Sequence, residues 1–317
     1  MTADPVPLST RFWENPKWAQ IIMFLTSFSS ALGNVVFVML SRDQTQAYVK
    51  AYNIGSSTLG LLTLLILPLY ISAYSLRRVT PVFLAISVVA TGAAYFALGS
   101  LYALVFALLL LTLSFEYFVI RTNDVLGVVI FRVMFLITGF LPAFVDLSTA
   151  LIIRVVLLGV IYGVGVRTAI RKDGGDRATV LMPKLDYIIV NILNVAWVYA
   201  LPLILIDKAD GFQAKIIYLV SNVFPLIFFK IEDTILKIDV FSSIGSSISS
   251  RTILKLTGIA LSVGYLVVWA LAYYLNFFDQ TLVGLYVALS IVATFINIVL
   301  MNRIVSHNKL NRQATVD

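Results

Sequence analysis

Cysteine is absent from the 317 residues, and histidine occurs once, as His307. Disulfides, thiol nucleophiles and cysteine-held metals are excluded, as is catalysis built on a histidine inside the chain. Charge is scarce too: 12% of the residues are charged, where a soluble domain carries roughly 25%. So little charge cannot coat a globule in water. Hydrophobic residues reach 60% and mean hydropathy is +0.96, so most of the surface must meet lipid.

A membrane helix needs about 20 mostly apolar residues. The apolar runs predict ten spans, at 18–39, 48–75, 81–98, 101–120, 125–144, 147–166, 187–206, 212–235, 253–275 and 282–301. Little length remains for a separate water-soluble fold. The opening 1–17 is polar, with Asp4, Glu14 and three prolines. It lacks a basic stretch leading to a cleavage site, so the first span is expected to be retained.

The net charge of +7 does not point to nucleic acid, because the basic residues sit in short loops. With the N-terminus in the cytoplasm, Arg42, Lys50, Lys208 and Lys215 fall outside, and Arg132 and Arg154 fall within spans; the remaining 17 of 23 are inside. Positive residues orient short loops inward, so both termini are expected in the cytoplasm. The fold class is all-α and polytopic, with six plus four helices: a bundle over 1–170, a cytoplasmic linker over 171–184, and a second bundle with a polar tail over 185–317. The polar break at 167–184 contains Gly174-Gly175, which reads as a turn, since no Lys-Ser/Thr follows to make a phosphate loop. A second inside segment, 238–251, is serine-rich and reads as a link.

The two arginines within spans are the chief site candidates. An arginine at helix centre costs about 2.5–3.5 kcal/mol, so it should face a partner or a polar path. Glu116 is placed to pair with Arg132, and Asp146 to lean toward Arg154. Facing cargo, the two guanidiniums suit a pyrophosphate, whose oxygens they bind as a fork. The alternative is structural pairing or snorkelling to the headgroups. Asn34, Asn53, Asn191 and Asn194 are candidate polar residues of a path; interhelical hydrogen bonding is the competing role for them. Ser29-x-x-x-Gly33 and Gly159-x-x-x-Gly163 permit close helix approach. Pro68, Pro142, Pro202 and Pro225 interrupt spans, and Trp13 and Trp18 fit an interfacial belt. No catalytic motif appears: there is no nucleotide loop, and the adjacent Glu232 and Asp233 point to different sides of a helix. No enzyme activity, cofactor or metal is expected.

The hairpin VMLSRDQTQAYVKAYNIGSS at 38–57 is echoed by PLILIDKADGFQAKIIYLVS at 202–221. In each an apolar span ends, a short charged turn follows, and a small residue and an aromatic open the next span. Ala47-Tyr48 aligns with Gly211-Phe212, and Ser57 with Ser221. The six-span offset makes this a parallel repeat, one of the symmetry types of transporters. The hairpin at 34–61, its echo at 201–229 and the basic inward loops resemble the multidrug/oligosaccharidyl-lipid/polysaccharide exporter superfamily, in particular its O-antigen and exopolysaccharide flippases. The second bundle is two helices shorter than the family's.

The resemblance implies two helix bundles around a central cavity in a bacterial inner membrane, moving a polyprenyl-pyrophosphate-linked glycan outward by alternating access. It implies cationic cavity residues, onto which Arg132 and Arg154 map by position. Membrane lipids and other polysaccharide-assembly membrane proteins are the implied partners. Three other readings remain. A drug/metabolite-type carrier fits the ten spans but requires five-plus-five inverted halves. A non-transporting subunit of a polysaccharide assembly predicts no continuous polar cavity. A membrane glycosyltransferase or polymerase requires a sizeable acidic loop outside the membrane, and the chain has none.

Overall fold

A computed structural model describes residues 32–122, 125–173, 185–222 and 250–313, with positions 29, 175 and 225. Trp13, Trp18, most of the serine-rich 238–251 and the later part of the span at 212–235 lie outside the described residues. No strand occurs among those described. The helices are α1 (32–40), α2 (Thr45–Ala73), α3 (Leu76–Leu98), α4 (Ser100–Thr122), α5 (Val125–Ile137), α6 (Leu147–Lys172), α7 (Leu185–Val195), α8 (211–222), α9 (Ser250–Tyr274) and α10 (Gln280–Gln313). Among the described residues, six stretches are long and apolar enough to cross a membrane: Leu76–Leu98, Leu126–Ala143, Leu147–Lys172, Ile188–Ile206, Lys255–Tyr274 and Gln280–Leu300. The chain is thus a multi-pass membrane protein, and its lipid face is visible on α3, where Val88 and Val89 are each 71% exposed and Phe96 88%.

The helix ends follow from local chemistry. Asp146 caps α6, accepting hydrogen bonds from the Thr149 N–H at 2.9 Å and the Thr149 hydroxyl at 2.6 Å. Asp210 and Gln213 form a reciprocal capping box at the start of α8: the Gln213 N–H donates to Asp210 at 2.7 Å, and the Asp210 N–H donates to Gln213 at 3.0 Å. The Leu76 N–H opening α3 donates to the carboxylate of Asp173, just past α6, at 2.5 Å. Between α3 and α4 stands a single residue, Gly99, with φ +100, which a side chain would strain. Gly175 has φ +92, as the turn expected there requires. Pro142 closes α5 through a 3₁₀ turn, Thr138–Ala143. Two expected boundaries move. The helix α6 continues through Arg171 and Lys172, basic residues in its last turn that suit its dipole. The expected polar tail is helical as far as Gln313.

The chain divides into two compact units. One comprises 1–44 and 66–181, the other 45–65 and 182–317. The division falls inside α2, whose first 21 residues group with the later part of the chain.

In the first unit, α4 packs on α3 and α6, and α5 on α6. Backbones of two of its elements approach closely at glycine: a Cβ on Gly33 of α1 would lie 2.6 Å from the Phe135 oxygen and 2.9 Å from Leu136 Cα, and one on Gly139 would strike the backbone of Gly33. The close approach expected at Gly33 is therefore found. That expected at Gly159 and Gly163 is not, because a Cβ on Gly163 meets nothing within 4 Å and the residue is exposed. Gly165 takes that role, lying under the Phe115 ring.

In the second unit, three glutamines tie helix ends together. Gln46 near the start of α2 donates to the Ile206 oxygen at 2.9 Å, Gln213 of α8 to the Phe277 oxygen at 2.8 Å, and Gln280 of α10 to the Ala272 oxygen at 3.1 Å. Lys50 pairs with Asp207 beside them at 2.5 Å. The starts of α2, α8 and α10 thus meet the ends of α9 and of the helical stretch 185–206 that α7 opens (the α7 segment) at one end of this unit. The two echoed hairpins share the turn-then-helix pattern, but their aligned aromatics differ: Tyr48 is buried and Phe212 is 63% exposed.

Candidate functional site

The sequence candidates fall into both units. Arg132, Arg154, Glu116 and Asn34 belong to the first, and Asn53, Asn191 and Asn194 to the second. The side chains of Glu116 and Asn191 lie outside the described residues. Arg132 is 5% exposed and Arg154 not at all. Asn34 is half-buried on α1.

Arg154 is held by its surroundings. Its guanidinium lies over the Phe135 ring at 3.9 Å and the Phe37 ring at 4.7 Å, a cation–π sandwich that gains strength when desolvated. Its Nη2 donates to the Phe135 oxygen at 3.2 Å. That carbonyl belongs to the last turn of α5, and the Thr138 hydroxyl also donates to it, at 3.1 Å. Phe37 lies one turn after Gly33, so the Gly33–Gly139 contact brings its ring onto Arg154. Asp146 does not lean toward Arg154. Its carboxylate is spent on the α6 cap, and the Thr149 hydroxyl and N–H together hold its pKa below the ordinary carboxylate value. An apolar groove of about 310 Å³ lies between α3, α4 and α6, lined by Phe83, Leu84, Val88, Leu110 and Tyr162 among others. Neither arginine lines it.

The second unit holds polar groups that the sequence reading passed over. On α10, Tyr286, Ser290, Thr294 and Asn297 follow at i, i+4, i+8 and i+11 and are all buried. The opposite face exposes Val292, Phe295 and Val299. This helix is polar inside and apolar outside, as hydrocarbon solvent demands. Asn297 donates to the Asn194 oxygen of α7 at 2.7 Å, so Asn194 acts as an interhelical tie. The Thr294 hydroxyl returns to the Ser290 oxygen at 2.8 Å. Tyr265 of α9 packs its ring 6.1 Å from Tyr286 and 6.3 Å from Trp197.

A tyrosine cluster joins α2, the α7 segment and α8. The ring of Tyr52 lies 6.3 Å from Tyr48, 6.2 Å from Tyr199 and 5.4 Å from Tyr218. Tyr199 stands in a π-helical turn, Ala196–Ala200, which ends before Pro202. The Leu201 N–H bonds to the Ala196 oxygen at 2.8 Å, and Pro202 has no N–H, so the α-helical ladder is broken there. The proline was legible in the sequence and the π turn was not. Asn53, fully buried on α2, donates to the Val49 oxygen at 2.8 Å.

Among the described residues no group of three or more His, Cys, Asp or Glu is placed to hold a metal. Comparison with protein-family models, with curated proteins and with solved structures finds no match to the chain.

Proposed function

We propose that the protein is a ten-span transporter of a bacterial inner membrane, both termini cytoplasmic, that moves a polyprenyl-pyrophosphate-linked glycan between leaflets. The observation that carries this reading is the burial of Arg154 and Arg132 on the adjacent helices α6 and α5. Each costs about 2.5–3.5 kcal/mol at a helix centre, and intramembrane charges usually mark a path for ions or substrate. Two guanidiniums suit a pyrophosphate, which they bind by paired hydrogen bonds. The Phe37 and Phe135 rings shield Arg154 in this conformation. Lifting α1 off α5 at the glycine contact withdraws Phe37 and frees the cation for cargo. Two such conformations are what alternating access uses.

The test is flipping of a fluorescent polyprenyl-pyrophosphate saccharide in proteoliposomes at equal reconstitution. Arg154→Ala and Arg132→Ala are each expected to slow it more than tenfold while the protein still inserts. A wild-type rate in the double variant refutes the reading. The complete enclosure of Arg154 favours a second one, a non-transporting subunit of an envelope-polysaccharide assembly in which the arginine only joins α1, α5 and α6. That reading predicts that Arg154→Met, of similar volume and no charge, keeps both stability and function.

A further inference from the structure

The tyrosine cluster leaves a group of oxygens unexplained. Asn53 Oδ1, Ser56 Oγ and Ser57 Oγ are buried within about one turn of α2, and none has a hydrogen-bond partner. Residues three and four apart share a helix face, so the three oxygens lie within one turn, about 6 Å along the axis. Asn53 and Ser56 are 0% and 6% exposed. The amide nitrogen of Asn53 is already committed to Val49, so its oxygen is offered as an acceptor only. An unsatisfied buried polar atom costs about 1–3 kcal/mol, and three together on one turn ask for an occupant.

Three contacts fix what this face meets. Gln46 bonds Ile206, the Tyr52 ring meets that of Tyr199, and a Cβ on Gly60 would lie 3.1 Å from Val195. The helix α2 therefore runs antiparallel along the α7 segment. Ser56 stands between Tyr52 and Gly60 at i+4 and i−4, on the ridge facing 195–199. That stretch overlaps the π turn Ala196–Ala200, which ends before Pro202. Irregular backbone at membrane depth is tolerated where it is buried in protein or lines a cavity, and opened carbonyls there coordinate cations.

We propose that Asn53, Ser56 and Ser57, completed by main-chain oxygens of the Ala196–Ala200 turn, form a binding site for a monovalent alkali cation that pins α2 to the α7 segment. All three side-chain ligands are neutral oxygens. A divalent ion would demand carboxylates, and the nearby Asp207 is engaged by Lys50. Each serine hydroxyl can turn its proton toward the carbonyl one turn back while a lone pair faces the ion.

The experiment is thermal unfolding of the purified full-length protein in detergent, in NaCl, KCl or choline chloride at constant ionic strength. A ligand bound only by the folded state raises Tm with concentration. Sodium or potassium is expected to raise Tm saturably over choline, and the rise is expected to vanish in Ser56→Ala/Ser57→Ala. It should persist in Thr58→Ala, whose hydroxyl is exposed and bonded back to Ile54. Asn53→Asp, which sets a charged oxygen in the same place, is expected to tighten the ion about tenfold. Should the double serine variant fail to fold, this variant still decides the matter. An alkali-independent Tm in wild type, or an undiminished rise in the double serine variant, overturns the proposal, as does Asn53→Asp with unchanged affinity; water is then the occupant. No cargo enters the assay, so its failure leaves the transport reading standing.

Discussion

Adding one methyl group to Gly33 or Gly139 probes the contact on which the Arg154 environment depends. At Gly33 the new carbon would lie 2.6 Å from the Phe135 oxygen, against the 3.4 Å of ordinary contact, so α1 must retreat by about 0.8 Å. The obstacles are backbone atoms on both sides and cannot rotate away. Overpacking of this kind costs about 1–3 kcal/mol. Retreat of α1 also carries Phe37 off the guanidinium, with a loss of about 0.5–1 kcal/mol or more in a desolvated site. Alanine returns up to about 1 kcal/mol through helix propensity. The net expectation is a destabilisation of roughly 1–3 kcal/mol for either single variant. The double variant should cost less than the two added together, because both methyls separate the same two backbones. Gly163→Ala is the internal control: its Cβ meets nothing within 4 Å, so only the propensity term acts and the protein should gain up to about 1 kcal/mol. Equilibrium unfolding in mixed micelles, titrated with denaturing detergent, measures all four. The reasoning fails if Gly33→Ala and Gly163→Ala shift stability in the same direction by similar amounts.

Three other outcomes follow from single contacts. Asn297→Ala removes the 2.7 Å bond to Asn194 and should cost about 0.6–1.7 kcal/mol by the same unfolding assay, with Asn194→Ala adding little to it. Lys50 and Asp207 are 39% and 57% exposed, so a double-mutant cycle should return under about 1 kcal/mol at low salt and nothing measurable at high salt. The folded pKa of Asp146 lies below 3.8, so its stabilisation is complete above 3.8 and is lost as pH falls through the lowered value. Asp146→Asn should therefore lower stability at neutral pH and flatten the acid limb of the stability–pH curve.

Much of the site was legible only as residue type. Arg132 and Arg154 stood out because a charge is rare in an apolar run, and both are indeed buried. Which groups would surround them was not legible. Asp146 is near Arg154 in sequence but caps its own helix, since a carboxylate at an N-terminus meets free N–H groups without crossing hydrocarbon. The polar face of α10 was present as Tyr286, Ser290, Thr294 and Asn297 at helical spacing, yet small hydroxyls barely alter hydropathy and the run reads as apolar throughout. The same holds for Ser56 and Ser57, whereas Asn53 stood out as an amide inside a span. Glycine spacing misled at Gly159 and Gly163 and succeeded at Gly33, because spacing marks a small face without naming the helix that meets it.

Composition alone determined that this chain lives in lipid. Lack of charge and long apolar runs leave the backbone no water to bond, and helices satisfy it locally, so the element type followed from sequence. Helix starts at Asp146 and Asp210 and the stops at Gly99 and Pro142 were equally local matters. The tertiary structure decided the rest: the grouping of Thr45–Leu65 with the later half of the chain, the glycine crossing that lays Phe37 on Arg154, and the π turn before Pro202. In hydrocarbon every apolar face is equally soluble, so hydropathy carries no information about which helices pair. That choice rests on steric fit and a few buried hydrogen bonds, and those exist only once the helices have met.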